Sequence, residues 1–253
     1  MSVGSASGRG SGTEPTAGPL SRASTVAYWF LVIEGLLVVT MAPGLVPLLF
    51  LERDASNVLL AALLMLPVGP AASAAFFAWK RFGEERDQAP ARHFWRGYRL
   101  NLLDSVRVWV PGLVVLGLLA TNLTHLGAVH LPVLVGTLSG VVAVLVLVWL
   151  THALVVASVF SFRFRDTVRI AAYVTFDQPR ASLGVVSFAV LAAGVVLVTS
   201  DWVLVLLASV FTYLVWRGER PVVDEVTRRF VVGAPEAVQG KPWPGLEDVS
   251  PED

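Results

Sequence analysis

The sequence predicts an all-α fold: a polytopic membrane helical bundle of about six transmembrane helices in three hairpins, with cytoplasmic amphipathic helical segments. Three observations predict it. Six apolar stretches can be read, at residues 26–50, 58–79, 107–126, 132–160, 182–199 and 202–216. A span needs about 20 residues of this kind. The chain is 55% hydrophobic and 15% charged, against about 25% charged in an ordinary soluble domain. Eighteen of the nineteen Lys and Arg residues lie in the two tails and in the second and fourth connections, and Arg53 alone lies on the other side. Basic connections stay in the cytoplasm, so both termini are expected inside.

Residues 1–24 are rich in Gly, Ser, Thr and Pro. They hold too little apolar surface to fold, so a disordered cytoplasmic tail is expected. They also lack the apolar core and cleavage site of a signal peptide. The membrane domain is expected over residues 25–232. Its first and fourth spans exceed the minimum length and can tilt. The second span is interrupted at LPVGPA by Pro67, Gly69 and Pro70. Each proline removes a donor and clashes with the preceding turn, so a kink or break is predicted there. Gly69 followed by Pro70 suits the start of a new half-helix.

The second connection is the most patterned polar stretch. At 100° per residue, Phe94, Tyr98, Leu102, Ser105 and Trp109 share one quarter of a helical wheel, with Trp95 beside them. Arg92, Arg96, Arg99 and Arg107 cluster opposite. An aromatic face with a basic back predicts a helix lying in the membrane interface or docking a partner. Its candidate residues are Phe94, Trp95, Arg96, Tyr98, Arg99, Asn101 and Trp109. The plainer reading is the cytoplasmic entry to the third span. The fifth and sixth spans are short. They are two spans turning tightly at 199–201 or one re-entrant hairpin. Residues 233–253 carry four prolines and predict a second disordered cytoplasmic tail.

Composition excludes several classes. There is no cysteine, hence no disulfide, thiolate or Cys-zinc chemistry. The formal net charge is zero and no long basic run exists, so nucleic acid is not an expected partner. Phosphate loops, HExxH and nucleotide glycine fingerprints are missing. Thr137-Leu138-Ser139-Gly140 lacks the glycine and sixth-span histidine of the rhomboid proteases, and a serine without a base is not activated. The expectation is therefore no catalytic residue, no metal site and no cofactor. Arg outnumbers Lys seventeen to two, as a GC-rich bacterial gene would dictate. The expected place is the bacterial inner membrane, with the lipid bilayer as first partner.

The candidate intramembrane polar site comprises Glu34, Gly69, Pro70 and His152. A charge near mid-bilayer costs about 2.5–3.5 kcal/mol on insertion scales, so Glu34 must find a partner. The exposed N–H groups of a half-helix opened at Gly69–Pro70 offer partial positive charge at similar depth. His152, in the fourth span, is a second candidate partner. The bland alternative is that the prolines only shape packing.

The segment from Leu66 to Trp109 resembles the YesL-like family of bacterial membrane proteins, domain of unknown function 624. The resemblance rests on Gly69-Pro70-Ala71 and on Phe94, Gly97, Tyr98 and Asn101 in an F-x-x-[GA]-[FY]-x-x-N pattern. TFDQPRASL, residues 175–183, resembles the family's second cytoplasmic segment. Family genes often lie beside sugar ABC-transporter genes. The resemblance thus implies a non-enzymatic accessory or scaffold protein of carbohydrate uptake, with sugar ABC-transporter permease subunits as partners. A small transporter or channel using Glu34 and the Pro67–Pro70 break is the alternative.

Overall fold

The computed structural model describes residues 19–52, 54–84, 89–125, 133–199 and 201–231. Among these, every regular element is helical. The α-helices are α1 (Pro19–Leu49), α2 (Val58–Leu64), α3 (Val68–Glu84), α4 (Pro90–His125), α5 (Val133–Val159), α6 (Phe164–Asp177), α7 (Pro179–Val198), α8 (Asp201–Leu206) and α9 (Ala208–Val226). Most of the predicted tail 1–24, the whole of 233–253 and the turn 127–131 lie outside the described residues. The first helix starts at Pro19, earlier than the predicted tail end.

Four helical stretches are long and apolar enough to cross a membrane: Ala23–Leu49, Pro90–His125, Leu134–Val159 and Pro179–Val198. A fifth forms if Ala55–Leu64 and Val68–Phe82, bent by 42°, are one span. The break falls where Pro67 and Pro70 remove donors. A sixth span does not appear as one helix. Residues 202–216 are divided at Leu207, and α9 continues into charged sequence beyond Trp216.

The small residues of α3 make it the centre of the bundle. Ala71, Ser73, Ala74, Ala75 and Ala78 are fully buried. Short side chains let neighbouring backbones approach closely, and α1, α4, α5 and α9 all pack on α3. The buried stripe of α1 is Trp29, Ile33, Leu37 and Met41, spaced four apart on one face. At the arginine-rich end, Trp29, Phe30, Trp79, Phe82 and Tyr213 interlock with ring centroids 4.8–6.5 Å apart. α6 lies at the same end with Ile170, Ala171 and Val174 turned inward, and Phe164, Arg169, Tyr173 and Phe176 outward.

The amphipathic stretch 93–109 is not a separate helix. It is the first half of α4, which runs unbroken for 36 residues, about 54 Å. Its aromatic face is turned to the protein rather than to lipid. Phe94 is completely buried, while Trp95, Arg96 and Arg99 are exposed. A helical wheel shows that a face is apolar; it does not say whether protein or hydrocarbon covers it.

Candidate functional site

Among the polar contacts that join helices inside the bundle, three lie at the candidate residues Glu34, His152 and Gly69. The first is at Glu34. Leu207, at φ −111° and ψ 11°, ends the α8 turn, and α9 starts at the next residue. The first N–H groups of any helix lack intrahelical acceptors. Here the backbone N–H of Ser209 donates to Glu34 Oε2 at 2.7 Å. A carboxylate from α1 thus caps α9, with the helix dipole adding to the attraction. The other oxygen, Oε1, is buried without a partner among the described residues.

The second joint links four helices. His152 of α5 and Glu219 of α9 are both about fully buried, with Nδ1 and Oε2 2.7 Å apart. Ser182 of α7 donates to the Thr175 carbonyl of α6 at 2.9 Å. Its hydroxyl oxygen then accepts from His152 Nε2 at 3.1 Å. Each group is buried against the other, and removing one would leave the other without its partner in the interior.

The third joint is at the broken span. Gly69 lies against Trp109 of α4; a Cβ on Gly69 would sit 2.3 Å from Trp109 Cγ. That closeness lets Trp109 Nε1 donate to the Met65 carbonyl at 3.0 Å. Met65 ends α2, where carbonyls lose their intrahelical donors. Nearby, Gly97 lies against Phe77, and Asn101 donates to the Ser158 carbonyl at 3.0 Å. The F-x-x-G-Y-x-x-N residues therefore lock α4 onto α3 and α5.

The four intramembrane candidates do not form one site. Glu34 meets the start of α9, not the half-helix at Gly69 and Pro70. Gly69 serves Trp109, and His152 serves Glu219 rather than Glu34. Of the seven residues proposed for an interfacial or docking helix, Phe94, Tyr98, Asn101 and Trp109 face neighbouring helices, and Trp95, Arg96 and Arg99 remain outward. Sequence reading missed Glu219, Ser182 and Ser209. Glu219 had a signal: it falls on the stripe Trp216, Val222 and Val226, a carboxylate amid an apolar helical face.

A cavity of about 650 Å³ lies between α1, the α2–α3 break, α5, α7 and the α8–α9 break. Its lining is almost wholly aliphatic or aromatic, including Leu37, Met41, Phe188, Ala192 and Phe211. Thr151 and Thr212 contribute hydroxyls, which are already used: Thr151 donates to Leu147, and Thr212 donates to Ser209 and accepts from Trp79.

These features define a multi-pass α-helical membrane protein whose inner polar groups join helices. Residues 23–123 match the family described as "Protein of unknown function, DUF624", so the chain carries a DUF624 domain there. The match begins in α1 and ends in α4, taking in Gly69-Pro70-Ala71 and Phe94 to Asn101 but not residues 175–183. No curated protein and no solved structure matches the chain.

Proposed function

We propose that the chain is a non-enzymatic accessory or scaffold protein of the bacterial inner membrane, associated with sugar ABC-transporter permease subunits. The observation that carries this reading is how the polar groups inside the bundle are used. Glu34, His152, Glu219, Ser182 and Asn101 each bond to another helix. Among the described residues, the lining of the large cavity offers only the two threonine hydroxyls, each already donating within its own helix. A sugar entering it would lose hydrogen bonds to water without replacement, a cost of several kcal/mol per polar group. The sugar-permease partner itself rests on the family resemblance.

The topology belongs to the same proposal: six spans with both termini cytoplasmic, α8 and the first part of α9 forming the sixth. The asymmetry of Lys and Arg supports it, because Arg217 and Arg220 then return to the basic side. A transporter reading is favoured by one observation only, the buried Glu34 at a broken helix whose Ala208 lines the cavity.

Purification in gentle detergent followed by mass spectrometry tests the accessory reading, with sugar uptake into liposomes holding the protein alone as the second arm. A co-purifying permease and no uptake are expected. Uptake by the protein alone would replace this reading with the transporter.

A further inference from the structure

We propose that the 650 Å³ cavity is a lipid site that seats one acyl chain of a membrane phospholipid. The shape comes first. Along α1 the lining runs from Leu37 to Leu48, and along α7 from Val185 to Val196. Eleven residues of helix span about 16 Å. The lining thus runs parallel to the helices, as an extended hydrocarbon chain would.

Its chemistry points the same way. Both hydroxyls in the lining already donate to backbone carbonyls of their own helices, so recognition comes chiefly from shape and apolar burial. Water has no place there. A cavity of about 150 Å³ lined by Leu, Ile and Phe stays dry and takes up benzene, and this lining is of the same kind. Left empty, the cavity would deprive its lining of dispersion contacts along its whole length.

The surroundings supply the occupant. Most of the lining belongs to helices long and apolar enough to span a membrane, and the rest chiefly to α8 and α9, so the medium beside it is lipid. α7 packs on α5, α6, α8 and α9, without close packing on α1 or α3. Gly184 and Gly194 on α7 have open space where a Cβ would stand. The side between α7 and α1, which do not pack closely on one another, is where a chain enters. The polar headgroup stays outside, since the lining offers it only the two threonine hydroxyls. This site is independent of the accessory reading, because a scaffold and a transporter could equally hold a lipid.

The test uses the full-length protein in vesicles of a phosphatidylcholine that carries a photoreactive group midway along one acyl chain. After irradiation, labelled residues are mapped by mass spectrometry. Labels on Met41, Phe188 and Phe211 are expected, beside labels on the outward-facing Leu138 and Val141. In Ala189→Phe and Ala192→Phe, which fill the cavity, the cavity labels should fall about tenfold, while those on Leu138 and Val141 persist. Labels confined to Leu138 and Val141, or cavity labels unchanged by filling, overturn the proposal. Should the Phe variants fail to fold, the parent decides alone. Its melting temperature after delipidation must rise when phosphatidylcholine is returned, and native mass spectrometry must show one phospholipid-mass adduct. An unchanged melting temperature, or an adduct of isoprenoid mass, defeats the acyl-chain assignment.

Discussion

Replacing Glu34 with Leu removes the acceptor that caps α9. The N–H of Ser209 donates to Glu34 Oε2 at 2.7 Å, and Ser209 is 3% exposed, so water does not readily take its place. A hydrogen bond to a charged group contributes about 1.5–3 kcal/mol, and a buried donor left unpaired costs a similar amount. One term works in the opposite direction. Glu34 Oε1 is buried without a partner, and the substitution relieves that penalty. The net expectation is a loss of about 2 kcal/mol, or roughly 4–8 °C in detergent for a chain of this size. Glu34→Gln keeps an acceptor and places its NH2 where Oε1 has none, so its loss should stay within about 1 kcal/mol. Hydrogen exchange supplies the local readout: the Ser209 amide should lose protection in Glu34→Leu and keep most of it in Glu34→Gln. Pro70→Ala is the control. The break at Pro70 is served by Trp109, so the effects of Glu34→Leu and Pro70→Ala should add within about 0.5 kcal/mol. A Glu34→Leu protein as stable as its parent, or strong coupling to Pro70→Ala, would refute the cap.

Other substitutions have expectations of the same kind. Gly69→Ala places a Cβ 2.3 Å from Trp109 Cγ and should cost about 1–3 kcal/mol; adding Trp109→Leu should recover part of this in the double-mutant melt. His152→Leu leaves Glu219 buried without its partner and should cost about 3–5 kcal/mol, whereas His152→Leu with Glu219→Leu should lie much nearer the parent. If the single and double variants melt alike, the pair is not a joint. Asn101→Leu removes the bond to the Ser158 carbonyl and should lower stability by about 1 kcal/mol, while Trp95→Ala, on the exposed face, should stay within about 0.5 kcal/mol.

Hydropathy made most of the helices legible, and proline chemistry made the break in the second span legible. Both are local properties: a proline removes its own donor whatever surrounds it. Partnerships were less legible because they join residues far apart in the chain. Glu34 and Ser209 are 175 residues apart, and His152 and Glu219 are 67 apart. The reasoning that a buried carboxylate should cap a broken helix led to Gly69–Pro70, the break that prolines announce. The break that Glu34 meets has no proline. Leu207 leaves helical geometry within an apolar run, where no residue type marks the spot. The same gap explains Phe94, Tyr98 and Trp109, whose apolar face could not be assigned to lipid or protein until α3 was seen beneath it.

The status of the last apolar stretch follows from that unmarked break. Residues 201–216 would reach about 24 Å as one straight helix, short of a hydrocarbon core of about 30 Å. Division at Leu207 shortens the reach further. Continuation of α9 works against this, since its buried face, Trp216, Glu219, Val222 and Val226, runs on past Arg217. Glu219 stays inside the protein by pairing with His152, while Arg217 is exposed. One helix therefore changes surroundings along its length without changing its inward face. Sequence hydropathy averages over both faces and reads the span as ending at Trp216. The inward face does not end there. Phosphatase fusions after Arg169 and after Arg229 separate the two topologies. Six spans require both fusions to be inactive in the periplasm. Five spans, with α7 crossing and α8 and α9 outside the bilayer core, require activity after Arg229, whereas a re-entrant 182–216 returns to its starting side and leaves both fusions inactive.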